Sequence, residues 1–144
     1  AIVNFRMSEG TVGRLWTSSI AIGRQHGFDF QIFGEIGGLR WHSEQPNQLI
    51  YTPLEGRTQV LEKGEKGLHE DANRLSRAAI AHPEGFPLAV ANIYCDLADT
   101  IKGQERDGLP RAADGLRSIA AVHAAVASAK NKGEWVDARP TMFR

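Results

Sequence analysis

Alternation opens the chain. Residues 2–7 set Ile2, Asn4 and Arg6 against Val3, Phe5 and Met7, the two-residue period of a half-buried strand. Ser8-Glu9-Gly10-Thr11 is turn chemistry, and residues 11–22 predict a second, longer strand carrying Val12, Leu15, Trp16, Ile20 and Ile22. The two read as a hairpin. After the polar loop 23–27, Phe28, Phe30 and Ile32 share one face of a third strand. Gly34-Glu35-Ile36-Gly37-Gly38 is a tight glycine turn, and Leu39 and Trp41 point inward on the return strand 39–42. Residues 48–52 and 58–62 form a further pair across Pro53-Leu54-Glu55-Gly56. Parallel strands need crossovers of roughly a dozen residues, so these short connections predict antiparallel pairing.

Beyond the charged, glycine-containing linker 63–67 the period changes to that of helices. Ala72, Leu75, Ala79 and Ile80 predict a helix over 70–81, with Glu70 and Asp71 placed where the helix dipole favours acids. A polar loop, 82–85, leads to a second helix over about 86–102, with Pro87 in its first turn and Gly103 past its end. Val90, Tyr94, Leu97 and Ile101 form its inward stripe, and Asp96 and Asp99 face out. A third helix spans 112–130, with Leu116, Ile119, Val122 and Val126 inward, and Asn131-Lys132-Gly133 caps it. Residues 134–137 suit a short closing strand, and the tail from Ala138 drapes over the surface.

The expected class is therefore α+β: a mostly antiparallel open sheet of about six strands over 2–62, with helices on one face. Several strands carry apolar side chains on both faces. A sheet with one wet face should alternate more cleanly, so the second face is expected to meet another subunit or domain.

Composition narrows the function more than the fold. The 144 residues fit one domain, and 17 Lys+Arg balance 17 Asp+Glu for a formal net charge of zero. No basic stripe is present to displace counterions from nucleic acid, so none is expected as a partner. No apolar run is long enough to span a bilayer, and no signal peptide opens the chain, so no membrane is expected either. Cys95 is the only cysteine, which forbids an intrachain disulfide and disfavours a thiolate metal cage, and makes a reducing, cytoplasmic setting the default. The start at Ala1, already in strand alternation, fits a chain entered partway through a fold and equally the removal of an initiator Met.

No Gly-x-Gly-x-x-Gly, P-loop or Gly-x-Ser-x-Gly elbow occurs. None of His26, His42, His69, His82 and His123 pairs with another His or Cys at ligand spacing, so no metal site is expected. Cys95 lacks an adjacent base, which favours a buried, inert thiol. The pair with chemical promise is His82 and Glu84. An unwound loop can aim imidazole and carboxylate together at the hydroxyls of a ligand, as donor and acceptor. The same two residues could instead satisfy backbone groups at the start of the following helix. Arg24 and His26 share the other long polar loop, where Arg24 could clamp a hydroxyl or phosphate or stand as a solvated charge.

Three stretches carry a family resemblance. The first is Gly10-Thr11-Val12-Gly13 with Ser18-Ser19-Ile20-Ala21-Ile22-Gly23-Arg24-Gln25-His26-Gly27, and the second is Phe33-Gly34-Glu35-Ile36-Gly37-Gly38-Leu39-Arg40-Trp41. The third is His82-Pro83-Glu84-Gly85-Phe86 through Ala91-Asn92-Ile93-Tyr94, then Asp114-Gly115-Leu116-Arg117 and Gly133-Glu134-Trp135-Val136. In order and spacing they resemble the C-terminal domain of the glucose–fructose oxidoreductase/inositol dehydrogenase (Gfo/Idh/MocA) family over nearly the whole chain. The resemblance implies an NAD- or NADP-dependent oxidoreductase acting on a sugar, polyol or cyclitol, with an N-terminal Rossmann domain and a sheet face used for homo-oligomers. The family's dinucleotide glycines, its Glu-Lys-Pro lysine and its Asp-x-x-x-His pair are absent from these residues. The resemblance thus implies a C-terminal substrate and oligomerisation domain over 1–144, missing the Rossmann domain, with no catalytic residue of its own. Alone, it is expected to be inactive and to bind neither cofactor. His82 and Glu84, with Arg24 and His26 behind them, match family loops that tend to face the substrate cleft. The alternative is a free-standing oligomerisation or sugar-binding module without catalysis.

Overall fold

A strand leaves half its backbone donors and acceptors unmet until a neighbour takes them. In the computed structural model, which describes residues 1–140, β1 (Ile2–Arg6) and β2 (Val12–Trp16) meet that demand antiparallel, with Val3 opposite Leu15 and Phe5 opposite Gly13. Met7 N–H donates to Thr11 O across the turn, and Gly10 supplies the positive φ of 96° that closes it. The Phe5 ring lies directly over Gly13, and a Cβ at residue 13 would overlap it. β2 is shorter than its alternation predicts. Its partner β1 runs out at Ile2, opposite Trp16, and Ile20 and Ile22 beyond it stand fully in solvent.

The remaining strands form a second ladder, β3 (Asp29–Gly34), β4 (Gly37–His42), β5 (Gln48–Pro53) and β6 (Gln59–Glu62), antiparallel in chain order. The fold is α+β and its six strands are all antiparallel, but hydrogen bonding groups them as two strands and four rather than as one sheet. Glu35 and Ile36 make the β3–β4 turn without positive φ, and the glycines flank it instead. Gly37 is there for space: a Cβ would stand 2.8 Å from Thr52 O. Trp41 anchors this ladder, stacked on Phe30 at 5.6 Å and edge-on to Phe28 at 5.9 Å, while its indole N–H donates to Pro46 O.

Three helices complete the chain: α1 (Glu70–Leu75), α2 (Phe86–Ile101) and α3 (Ala112–Lys130). The His69 imidazole caps α1 by accepting from Asp71 N–H, and at the start of α3 Asp114 Oδ2 accepts from Arg111 N–H at 2.9 Å. Lys102 caps α2, and Gly103 follows at φ 88°. Residues 134–137 are not a strand; there Trp135 lies under the Arg6 guanidinium, 5.7 Å from its ring centre. Of the tail expected over the surface, only 138–140 fall within the described residues.

The chain divides into two units, residues 1–21 with 108–144 and residues 22–107. Neither closes a core: among the described residues no apolar side chain is fully buried. The chain exposes 12,024 Å², against about 7,300 Å² for a folded monomer of its mass and about 8,800 Å² for two separate globules of the two units' sizes. The expected inward stripes are therefore open. Tyr94 is 67% exposed, and Ile119, Val122 and Val126 are exposed on α3. On α2 the residue expected outside, Asp96, is the covered one, at 6%. Arg74 of α1 reaches it at 2.6 Å, which turns the polar side of α2 toward α1 and leaves Tyr94 and Ile101 facing out. Cys95, expected to be buried, is exposed for the same reason.

The overlap at residue 13 gives a direct test. Gly13→Ala should swing the half-exposed Phe5 ring aside at a cost of no more than about 1 kcal/mol, since alanine is the better strand residue, read as a small change of midpoint in urea unfolding; a large drop would show that the ring is held firmly over residue 13.

Candidate functional site

α1 ends early, at Leu75, where the periodicity extends to Ile80. A longer helix would bond Ala79 N–H to Leu75 O. That carbonyl instead accepts from Asn92 Nδ2 of α2 at 2.8 Å, and Ser76 turns extended. The segment 76–85 that follows has no ladder or helix to satisfy its backbone, and one ion pair does the work.

Glu84 Oε1 accepts from Arg77 N–H at 2.8 Å, from Ala78 N–H at 2.6 Å and from Lys63 Nζ at 2.8 Å. Lys63 Nζ donates further to Ala78 O at 2.9 Å and Ala79 O at 3.2 Å. An ammonium has three protons, and all three are engaged. Both side chains are withdrawn from water, 12% and 10% exposed. Asn47 ties the pair to the four-stranded ladder: its Oδ1 accepts from Glu84 N–H at 3.2 Å and its carbonyl accepts from Lys63 N–H at 2.9 Å. The Lys63 hydrogen bond holds the Glu84 carboxyl below its ordinary value of 4.5; burial opposes that, and the two backbone donors add to it.

His82 sits between the anchored points. Its N–H donates to Ala79 O at 3.0 Å, and its Nδ1 lies 3.2 Å from Ile80 O. The imidazole is exposed and, with Glu84, lines a cleft of about 400 Å³ whose other walls include Glu44, Asn47, Glu62 and Lys63. Ala81, just before it, has φ 67°, a left-handed conformation that side chains other than glycine rarely take.

Of the four residues expected at a substrate cleft, the structure brings His82 and Glu84 into one cleft. Arg24 and His26 are not among its lining residues: Arg24 lies 3.9 Å from Asp29, and both are exposed on their own loop. Glu84 does satisfy backbone groups, but those of Arg77 and Ala78 behind it rather than those of the helix in front. Lys63 and Asn47 escaped sequence reading, because a lysine in a charged linker and an asparagine in a turn give no periodic signal. Among the described residues no group of His, Cys, Asp and Glu could hold a metal ion, and no helix is long and apolar enough to cross a membrane.

Residues 1–138 match the model of the oxidoreductase family, C-terminal alpha/beta domain, of the Gfo/Idh/MocA type. The chain belongs to this family. An uncharacterized oxidoreductase of Bacillus subtilis (strain 168) is 30% identical over 95% of the chain. An oxidoreductase from Sinorhizobium meliloti superposes over 94% of the chain with a TM-score of 0.86 at 33% identity. An inositol dehydrogenase homolog from Azotobacter vinelandii, complexed with NADH and myo-inositol, does so over 93% with a TM-score of 0.85 at 31% identity. The chain spans 37%, 40% and 38% of the lengths of these three proteins, well under half of each.

The lowered Glu84 value fixes the sign of an acid effect. Its contribution is complete above the unfolded-state value near 4.5 and is lost as pH falls through the lower folded value. Urea unfolding between pH 7 and pH 3 should show a stability loss confined to the acid end, smaller in Glu84→Gln. An equal loss in both proteins would assign it to other carboxylates.

Proposed function

We propose that this chain is the C-terminal domain of a nicotinamide-dependent oxidoreductase that acts on a sugar, polyol or cyclitol. The observation that carries the reading is the match to the inositol dehydrogenase homolog over 93% of this chain and only 38% of that one. In this reading a preceding Rossmann domain holds NAD or NADP and the hydride-transfer residues, and this domain supplies a wall of the substrate cleft. His82 is the group suited to substrate contact. With Nδ1 turned to Ile80 O, which can only accept, Nε2 is the ring atom left to meet a substrate hydroxyl. Glu84 stands behind it in the same cleft, whereas Arg24 and His26 lie on a separate loop. The excess exposed surface, with apolar side chains on both faces of the strands, supports a domain covered by the rest of its own protein and by a second copy through a sheet face.

NADH and NADPH titrated into the isolated chain, followed by nicotinamide fluorescence, should show no binding, and the chain should turn over no sugar. Micromolar binding would mean a dinucleotide site within these residues and would end the reading; sugar affinity without nicotinamide would favour a free-standing binding module. In the whole protein, His82→Ala should raise KM for a cyclitol or sugar about three- to tenfold, the value of one lost hydrogen bond. Unchanged kinetics would remove His82 from the substrate wall.

A further inference from the structure

The loop 76–85 is closed on itself by a single ion pair. Glu84 reaches back to the N–H groups of Arg77 and Ala78, and Lys63 takes the carbonyls of Ala78 and Ala79. Four backbone groups of an irregular segment are thus satisfied from one point. The only residues of the loop between the two anchored stretches are Ile80, Ala81, His82 and Pro83. Pro83 restricts His82 to an extended backbone. Ala81 holds φ 67°, a conformation that persists in a residue with a side chain only where its surroundings over-determine it. Both sides of that constraint are visible: the clamp fixes residues 77–79, and Asn47 Oδ1 fixes Glu84 N–H.

Every Lys63 proton is engaged, and Oε1 of Glu84 already accepts three donors, so the ammonium and this oxygen are committed to the loop backbone rather than to a ligand. We infer that Lys63 and Glu84 are positioning residues that hold His82 at the edge of its cleft through the backbone of residues 77–82. The inference rests on the reading of His82 as a substrate contact, but its geometry can be measured without substrate.

The test uses Lys63→Met and Glu84→Gln in the whole protein, with hydrogen exchange of individual amides and the ¹⁵N spectrum of the His82 ring. Each variant should speed exchange of the His82 amide, now bonded to Ala79 O, by about tenfold or more. The amides of β4 and β5 should keep their protection, and the ring signals of His82 should shift or broaden. Lys63→Arg should not restore the loop, because a planar guanidinium cannot direct three protons at acceptors gathered around one ammonium. KM should rise as in His82→Ala, and Lys63→Met should add nothing to His82→Ala in the double variant. Unchanged His82 exchange and ring signals in both clamp variants would overturn the inference. Should those variants not fold, Lys63→Arg decides: it keeps the charge but misdirects the protons, so it should still speed exchange at His82, and no change at His82 would again overturn it. If His82→Ala has normal kinetics while the clamp variants still free the loop, the substrate reading fails and the positioning stands.

Discussion

An ammonium leaves water at little cost only when each of its three protons finds an acceptor, and a carboxylate only when its lone pairs find donors. Lys63 satisfies all three protons and Glu84 satisfies Oε1 on the same short segment, using backbone groups that no helix or ladder claims. Much of the second unit follows from that arrangement. With Asn92 holding Leu75 O, the clamp sets the short length of α1 and fixes the path of the chain into α2. Asn47 extends the same network to the turn between β4 and β5. A cleft edge built this way has its backbone groups satisfied without regular secondary structure, which suits a loop that presents a side chain.

The exposed surface has a related logic. Arg74 and Asp96 join α1 to α2 through charge, so the apolar edge of α2 is left for something else to cover. The same holds for α3 and for both faces of several strands. A chain with no fully buried apolar side chain among its described residues cannot draw ordinary stability from its own hydrophobic contacts. Its fold is that of the Gfo/Idh/MocA C-terminal domain, and it spans well under half of the relatives it resembles. The open faces fit that fraction.

Strand alternation between Ile2 and Glu62 was legible because period two is local: each residue reports its own face. The antiparallel order followed from connection lengths, and the helix ends from Gly103, Pro87 and the acids at 70–71. The same local logic failed where a distant group intervened. Residues 18–22 alternate like a strand but lie beyond Thr17, which pairs with Ala1 at the start of the chain, and residues 76–80 have helical spacing but Leu75 O, which would bond Ala79 N–H, goes to Asn92. At the site, His82 and Glu84 could be singled out as a titratable pair in a loop. That they line one cleft, and that Glu84 faces backward to Arg77 and Ala78, could not.

The sequence by itself determined the α+β class, the antiparallel pairing and the family, since these rest on periodicity, turn residues and short runs of neighbouring side chains. Tertiary structure alone decided the partners: Lys63 for Glu84, 21 residues away, Arg74 for Asp96, 22 away, and Asn92 for Leu75, 17 away. Ion pairs and side-chain-to-backbone bonds of that span leave no period in the chain. They exist only once two segments are brought within about 3 Å of each other, and here they set where a helix stops, which face of α2 is covered, and where His82 stands.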